Sequence, residues 1–256
     1  AEGWRLSALP IDPHLGKMLL TAQKLGVLPE LLVISAFLSI SDPRERPNDR
    51  RQAADDAHRR FADEQSDFLG ILKLWNLIYT ALGENFSKSA LRRYAKSNFL
   101  NFNRLNEWFN LIDDLAESCA ENEWKVASWK KGVFELLDYE RIHLALLSGI
   151  PRQFAKYVPE YQYYLGTGGR KYVIFPGSGL FKRKKPPAWL LSFALVETSR
   201  LYGRTNAEIK PEYIERIAPH LCKATYEAPY YDPASGFVYA KEKLVAGGLV
   251  VHDGRR

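Results

Sequence analysis

The sequence predicts an α+β protein whose first part is helical and whose second part consists of short strands. Apolar residues recur at helical spacing as far as about Ile150. After Pro151 the chain changes to tyrosines, glycines and short runs of branched and aromatic residues, as strands and turns require. Helices followed by strands are typical of two packed regions with separate cores.

The first helix is predicted from Asp12, because an Asp followed by Pro13 suits an N-cap and the first helical position. Gly26 ends this helix. A second helix follows Pro29 and runs to about Ser39.

A charged connector, SDPRERPND at 41–49, interrupts the helices, because its two prolines do not allow a helix across it. Its Arg44-Glu45-Arg46 run suits either surface ion pairs or an exposed basic segment. Another helix is predicted at Phe68–Thr80. His58 lies among charged residues, on what we interpret as a solvated helix face.

The longest helix is predicted from Lys88 to Ala120. It carries one continuous apolar seam: Phe102, Leu105, Phe109, Ile112, Ala116 and Cys119. A neighbouring polar stripe consists of Ser97, Asn101, Arg104 and Trp108. These side chains either bond a sugar-phosphate chain or cap loops and pair with acids elsewhere.

A helix at Tyr139–Gly149 precedes the strand region, which contains about five strands and one embedded helix at Pro211–Ala218. The last residues, from Gly236 to Val251, form a predicted hairpin. Five strands with an inserted helix and basic loops fit a five-stranded barrel of the OB type, a fold that binds single strands.

The basic charge of the chain is concentrated in 170–200, where six residues match its formal net charge of +6: Arg170, Lys171, Lys182, Arg183, Lys184 and Lys185. Apolar runs at Tyr172–Phe175 and Trp189–Val196 predict strands on either side of a loop. A focused basic patch favours a polyanionic partner, although a solvated loop is the alternative. Gly177-Ser178-Gly179 is interpreted as a tight turn whose backbone also suits phosphate.

The next segment alternates with a period of two. Its predicted outward face is basic and aromatic: Arg200, Tyr202, Arg204 and Asn206. Such a face offers cations to phosphates and a ring to a base.

Several chemistries have no sequence signature. The only Gly-Lys pair, Gly16-Lys17, has Ile11 where a nucleotide-binding loop needs glycine, and the five histidines lack metal-ligand spacing. No metal site and no catalytic residue is predicted. Cys119 and Cys222 lie in segments predicted to be helical, which favours buried thiols and a reducing, cytoplasmic location. The chain lacks an initial Met, and we expect it to be part of a longer protein.

Several long motifs resemble bacterial DEAH-box RNA helicases of the HrpA type. They are LPIDPHLGKMLL, SAFLSISDPRERP, AHRRFADEQSDFLGILKLW, NFLNFNRLNEW, YERIHLALLSG and IFPGSGLFKRKKPPAWLLSFALVETSRLYGR. They occur in the family's order across nearly the whole chain. The resemblance implies the end of a winged-helix domain at 1–12, a helical ratchet domain at 13–155 and an OB-fold domain at 156–256.

The same resemblance implies a module without a motor, which holds single-stranded RNA while absent RecA-like domains hydrolyse ATP with Mg²⁺ and translocate 3′-to-5′. No cofactor is expected in this chain. The RNA-binding residues predicted from the residues and the resemblance together are Ser97, Asn101, Arg104, Arg170, Lys171, Ser178, Lys182, Arg183, Lys184, Lys185, Thr198, Ser199, Arg200 and Arg204.

The expected partners are single-stranded RNA, with single-stranded DNA left open, the RecA-like domains of the same polypeptide, and an activator protein. We expect a monomer without membrane association. The alternative function is a platform that docks onto the motor domains or onto an activator. A docking surface requires a contiguous exposed apolar patch, whereas a nucleic-acid path requires a basic one.

Overall fold

The structure, a computed structural model, describes residues 9–122, 124 and 132–255. Its contacts divide the chain into two compact units, 1–149 and 150–256, a few residues before the boundary predicted at 155. Residues 1–8 of the predicted winged-helix remnant lie outside the described residues, as do 123 and 125–131 in the segment before the helix predicted at Tyr139–Gly149.

The described part of the first unit is helical. Its α-helices are α1 Pro13–Leu25, α2 Leu28–Ser39, α3 Arg51–Arg59, α4 Asp67–Leu82, α5 Lys88–Ser97, α6 Phe102–Glu121 and α7 Tyr139–Gly149. The first helix begins as predicted, because the Asp12 carboxylate accepts the backbone N–H of His14 at 2.8 Å. It ends at Gly26, whose φ of 75° is the left-handed conformation that favours glycine.

Aromatic side chains fill the core of this unit. The Trp75 ring stacks on Phe109 with centroids 5.1 Å apart and meets the edge of Trp108 at 5.7 Å. The buried Trp108 indole donates to the Val33 carbonyl at 2.9 Å. Trp108 was predicted to belong to a polar stripe; it packs inward because its indole N–H has a partner inside the core.

The helix predicted at Lys88–Ala120 is wrong, because two helices occupy that range. Asn98 ends α5, and Phe99 has a φ of 53°, which no helix can contain. Asn101 begins α6 as its N-cap: the Asn101 side chain accepts the backbone N–H of Arg104 at 3.1 Å. The predicted apolar seam remains correct within α6, where Leu105, Phe109 and Ile112 are buried.

This break is held by the connector. The Glu45 N–H donates to the Phe99 carbonyl at 2.8 Å, and the Asn101 N–H donates to the Pro43 carbonyl at 2.7 Å. The connector's arginines form surface ion pairs, Arg44 with Asp42 and Arg46 with Asp55, as one of the two interpretations of the sequence proposed.

The second unit contains a closed five-stranded barrel in the order β1-β2-β3-β5-β4. Its strands are β1 Phe154–Val158, β2 Tyr163–Gly166, β3 Lys171–Ile174, β4 Trp189–Glu197 and β5 Leu201–Glu208. Only β3 and β5 run parallel; the other neighbouring strands are antiparallel, and β1 closes the barrel against β4. The predicted OB-type barrel is confirmed.

Three further strands follow the barrel, so the described part of the unit has eight strands rather than about five. The predicted helix is α8, Pro211–Ile217, which comes after β5. A separate sheet then contains β6 Cys222–Asp232, β7 Phe237–Ala246 and β8 Leu249–Arg255. The predicted terminal hairpin is β7–β8. Cys222, predicted to be helical and buried, begins β6 and is half-buried.

Inward-facing residues fill the barrel, and they include one residue of the basic loop. The core comprises Ala155, Tyr164, Tyr172, Ile174, Leu180 and Leu190. Leu180 lies outside the strands and anchors the loop between β3 and β4. Among the described residues, no helix has the length and apolar character needed to cross a membrane.

Candidate nucleic-acid interface

The topology of the barrel places the predicted basic residues at two opposite ends of β3. Because β3 and β5 are parallel, with Val173 beside Tyr202, the residues that precede both strands lie at one end. That turn end comprises Arg170, Lys171 and the β4–β5 turn, Thr198, Ser199 and Arg200. The loop that follows Ile174 leaves from the other end, the loop end, with Lys182, Arg183, Lys184 and Lys185. The six basic residues therefore do not share one loop.

Between the two ends, the outward side chains of β2, β3 and β5 form a single surface, which we call the outer face. It comprises Tyr163, Lys171, Val173, Phe175, Tyr202 and Arg204. The alternate residues of the same strands, such as Tyr164 and Tyr172, are buried inside the barrel. The face follows from the period-two alternation of a half-buried strand.

Two cation–aromatic pairs lie on the outer face. The guanidinium carbon of Arg204 is 4.6 Å from the centroid of the Phe175 ring, and Lys171 Nζ is 5.3 Å from that of Tyr163. The Phe175 ring also meets the Tyr202 ring edge to face at 5.7 Å. Arg204 and Lys171 are exposed. Such pairs hold rings and cations together where a base and a phosphate can each find a partner.

The outer face ends before Asn206, which had been predicted to belong to it. Thr205 has a φ of 54°, so the alternation of β5 is interrupted there and Asn206 points into the barrel. Its amide oxygen accepts from the Ser192 hydroxyl at 2.7 Å, and its amide nitrogen donates to the Gly203 carbonyl at 2.9 Å. A buried amide with both groups bonded is stable in a core.

A glycine is required next to this amide. A Cβ at Gly203 would lie 2.7 Å from the Ser192 hydroxyl, 2.8 Å from the Asn206 side-chain oxygen and 2.8 Å from the Tyr172 ring. The Tyr172 and Ser192 hydroxyls are 3.1 Å apart, and burial raises the pKa of Tyr172 to about 12. This interior network fixes β3 and β5, the two strands that carry most of the outer face.

At the loop end, the basic residues differ in their surroundings. The Ser178 hydroxyl accepts the backbone N–H of Leu180 at 3.3 Å and begins the short 3-10 segment Gly179–Lys182. Arg183 Nη1 donates to Glu208 Oε2 at 2.6 Å, with a side chain only 23% exposed. Lys182, Lys184 and Lys185 are exposed. Arg183 therefore ties the loop to β5, and the three lysines carry its open charge.

Exposed cations and hydroxyls lie at the turn end, whereas the rings that precede β2 lie toward the loop end, because β2 runs antiparallel to β3. Arg170 Nε donates to the Thr167 carbonyl at 3.4 Å. The Tyr161 and Tyr163 rings stack with centroids 5.7 Å apart, and Tyr161 is 72% exposed. Thr198, Ser199 and Arg200 are exposed. The sequence interpretation omitted Phe175 and Tyr163; their alternation with buried Ile174 and Tyr164 was the available signal.

Two of the three predicted residues of the first unit already have structural partners. The Asn101 side chain donates to Glu45 Oε1 at 2.8 Å, besides capping α6. Arg104 Nη1 donates to the Asp42 carbonyl at 2.8 Å. Both bonds attach the connector to the start of α6. They agree with the interpretation that this stripe caps loops and pairs with acids. Ser97 is exposed at the last position of α5.

No candidate metal centre accompanies these residues. Across the residues that the structure describes, no group of three His, Cys, Asp or Glu side chains is arranged to hold a metal ion.

Comparisons with known proteins match both units. Residues 12–71 match the helicase-associated domain described as ratchet-like, and residues 142–221 match the oligonucleotide/oligosaccharide-binding (OB) fold. The ATP-dependent RNA helicase HrpA of Escherichia coli is 43% identical over 99% of this chain. The HrpA homolog of Haemophilus influenzae is 41% identical over 97% of it.

The chain spans about a fifth of the length of these relatives, 19% and 18% respectively. The resemblance found in the motifs is thus confirmed along almost the whole chain. The chain therefore contains a helicase-associated, ratchet-like domain followed by an OB-fold domain, and nearly its whole length is similar to the C-terminal region of HrpA-type RNA helicases.

Proposed function

We propose that this chain binds single-stranded RNA along the outer face of its barrel, as the non-motor part of a longer ATP-dependent helicase. The observation that carries the proposal is the outer face itself, where Arg204 packs on Phe175 and Lys171 packs on Tyr163. Rings accept stacked bases of any identity, and cations bind the backbone, so this arrangement grips a strand without reading its sequence. The mention of RNA and ATP comes from the names of the two relatives, which are ATP-dependent RNA helicases.

The two ends of the outer face supply the phosphate contacts. Lys182, Lys184 and Lys185 bind the strand at the loop end, and Arg170, Thr198, Ser199 and Arg200 bind it at the turn end. Ser178 shapes the loop, because its N–H donates to the Phe175 carbonyl and its hydroxyl accepts the Leu180 N–H. Arg183 acts by positioning the loop through Glu208. ATP and Mg²⁺ are used by RecA-like domains elsewhere in the longer polypeptide, which translocate 3′-to-5′.

A salt titration of binding to a fluorescent single-stranded RNA tests this proposal. The chain is compared with a Lys182→Ala, Lys184→Ala, Lys185→Ala variant, which leaves the Arg183–Glu208 pair intact. Each lost phosphate contact flattens the slope of log K against log salt by about 0.7 for a single strand, so three lost contacts flatten it by about 2.

The matched control removes three lysines from the separate sheet of the same unit, Lys223, Lys241 and Lys243. This control variant retains the affinity and the slope of the unchanged chain. A second comparison replaces Phe175 and Arg204 with Ala, which weakens binding at every salt concentration because stacking is lost. Equal binding by all four proteins would contradict the proposal.

A second candidate function rests on the hairpin of β6 and β7, which carries exposed apolar side chains on both faces. Tyr226 and Phe237 are each 67% exposed, Tyr231 is 61% exposed and Val238 is 69% exposed. An exposed apolar patch of this kind marks a protein contact. The hairpin would dock the motor domains of the longer polypeptide or an activator protein.

The docking function is tested by a binding assay between this chain and the separately purified remainder of the Escherichia coli relative. A Tyr231→Ser, Phe237→Ser, Val238→Ser variant is expected to lose this binding, while the Phe175→Ala, Arg204→Ala variant keeps it. Retained binding by the hairpin variant would remove the docking function from this hairpin.

A further inference from the structure

Helix α5 carries a strongly basic face that the sequence interpretation did not single out. Its buried side is formed by Ala90, Leu91 and Ala95. The opposite side contains two rows at i, i+4 spacing: Lys88, Arg92 and Lys96 in one row, and Ser89, Arg93 and Ser97 in the next. All six are exposed, and the helix has no acidic residue. The formal net charge of the chain does not reveal this face, because acidic residues elsewhere in the chain balance its four positive charges.

The four cations of α5 differ from the paired cations of the connector and α3. On the connector and α3, Arg44 pairs with Asp42, and Arg59 pairs with Asp56 at 3.0 Å. Within the part of the chain that the structure describes, Lys88, Arg92, Arg93 and Lys96 form no ion pair. Arg92 packs over the Phe102 ring at 4.5 Å, which fixes its direction without neutralising it.

Helix stability does not explain this charge pattern. Like charges at i, i+4 destabilise a helix by about 0.2–0.5 kcal/mol per pair, and the Lys88, Arg92 and Lys96 row contains two such pairs. The helix dipole favours Lys96 in the last turn but disfavours Lys88 at the first position. Binding of an anion relieves both penalties.

We infer that α5 is a second nucleic-acid site, which binds the phosphate backbone through Lys88, Arg92, Arg93 and Lys96. Successive members of a row are about 6 Å apart along the helix, which presents a ladder of donors to a chain of phosphates. Ser89 and Ser97 add hydroxyl donors of the kind that contact phosphates. Ser97 is the residue of the predicted set that belongs to this site.

A nucleic acid suits this face better than a protein. A protein interface needs buried apolar or aromatic anchors at its centre, and the exposed rows of α5 contain only Lys, Arg and Ser. The site lies beyond the 12–71 match to the ratchet-like domain and in the unit that does not contain the barrel. It therefore stands independently of the outer face.

The test uses the whole chain with all four α5 cations changed to Gln, which has a similar helix propensity. The charge-matched control changes Arg46, Arg50, Arg51 and Arg59 of the same unit to Gln, so both variants fall from a formal net charge of +6 to +2. The α5 variant is expected to bind a fluorescent single-stranded RNA at least about tenfold more weakly at low salt, with a slope flatter by about 3. The control variant is expected to retain most of the affinity and most of the salt slope of the unchanged chain.

Combination with the three-lysine loop variant separates this inference from the proposed function. If both sites bind RNA, the combined variant loses affinity beyond either parent. Loss only in the loop variant supports the barrel and overturns the α5 site; loss only in the α5 variant does the reverse. The inference is also overturned if the α5 and control variants behave alike, if the unchanged chain binds no RNA, or if α5 matters only for binding anionic vesicles. Circular dichroism confirms that each variant is folded.

Discussion

The connector at 41–49 and the loop at 175–188 have similar compositions, but their basic residues differ in whether they pair with acids. Both contain two or more prolines and a short basic run between regular elements. In the connector, Arg44 and Arg46 pair with acids, and Arg104 and Asn101 bond its backbone and Glu45. In the loop, Arg183 is the one cation of four that pairs with an acid of the described residues. Composition therefore does not distinguish a structural cation from a binding cation; the acids that the fold brings near do.

Acid is expected to destabilise the helical unit that contains the connector, through two of its histidines, half-buried His58 and buried His143. His58 Nε2 lies 3.0 Å from the Phe99 carbonyl, the oxygen that also accepts the Glu45 N–H, and desolvation lowers the pKa of His58. His143 is fully buried against Ser66 and Tyr139, and desolvation lowers its pKa to about 4.

Because the folded pKa of His143 lies below the unfolded value, the unfolded chain binds more protons between these values. The contribution of neutral His143 to the free energy of unfolding is fully present above about pH 6.5. It falls by up to about 3 kcal/mol as the pH drops to about 4. Urea titrations followed by tryptophan fluorescence measure this loss. A His143→Gln variant should flatten the pH dependence; an unchanged dependence would assign the loss to other groups.

Replacement of Arg104 by Ala is the next largest expected effect. It removes the bond to the Asp42 carbonyl, which holds the connector beside the α5–α6 junction. The free energy of unfolding is expected to fall by about 1–3 kcal/mol, since the bond is charge-assisted and partly buried. Its matched comparison is Lys184→Ala in the loop, which changes stability by less than about 0.5 kcal/mol. Equal losses would erase the distinction between the two segments.

Arg183→Ala is expected to have a smaller effect that resembles the connector more than the loop. It leaves Glu208 without this partner and costs about 1 kcal/mol of stability or less, because both side chains are partly exposed. In the Arg183→Ala variant, the slope of log K against log salt for RNA binding is expected to flatten only if loss of the ion pair shifts the loop and its lysines. A slope change as large as that of Lys184→Ala would show that Arg183 contacts phosphate directly.

Lys184→Ala is the smallest change and the sharpest test of an open cation. It should flatten the salt slope of RNA binding by about 0.7 while leaving the urea midpoint in place. The same change at Lys223, on the separate sheet, should leave both quantities in place. An equal slope change at Lys223 would mean that RNA binding follows net charge rather than position.

Much of the fold was predictable because local chemistry specifies it. Asp12-Pro13 and Gly26 bound α1, the three-four spacing of Leu105, Phe109 and Ile112 marks α6, and alternation marks β5. The motifs also identified the HrpA-type resemblance and the order of the two domains. For the candidate site, the sequence located the basic loop and the Tyr202 and Arg204 face.

The errors fall where contacts distant in sequence overrule a local pattern. The helical pattern from Lys88 continues through Phe99, and the break exists because Arg44, far away in the chain, forms a β-bridge with Leu100. Asn206 fits an outward strand position, but Ser192 and the Gly203 carbonyl satisfy its amide inside the barrel.

The sequence by itself determined most of the helix starts and ends, the strands of the barrel, the barrel type and the number of cations available, since most of these depend on neighbours within a few turns. Only the tertiary structure decided which cations have acids opposite them, because ion pairs such as Arg46–Asp55 and Arg183–Glu208 join separate elements. It divided the basic stretch between the two ends of β3 through the parallel pairing with β5. It also left the basic face of α5 open, because no acid of the described chain reaches it.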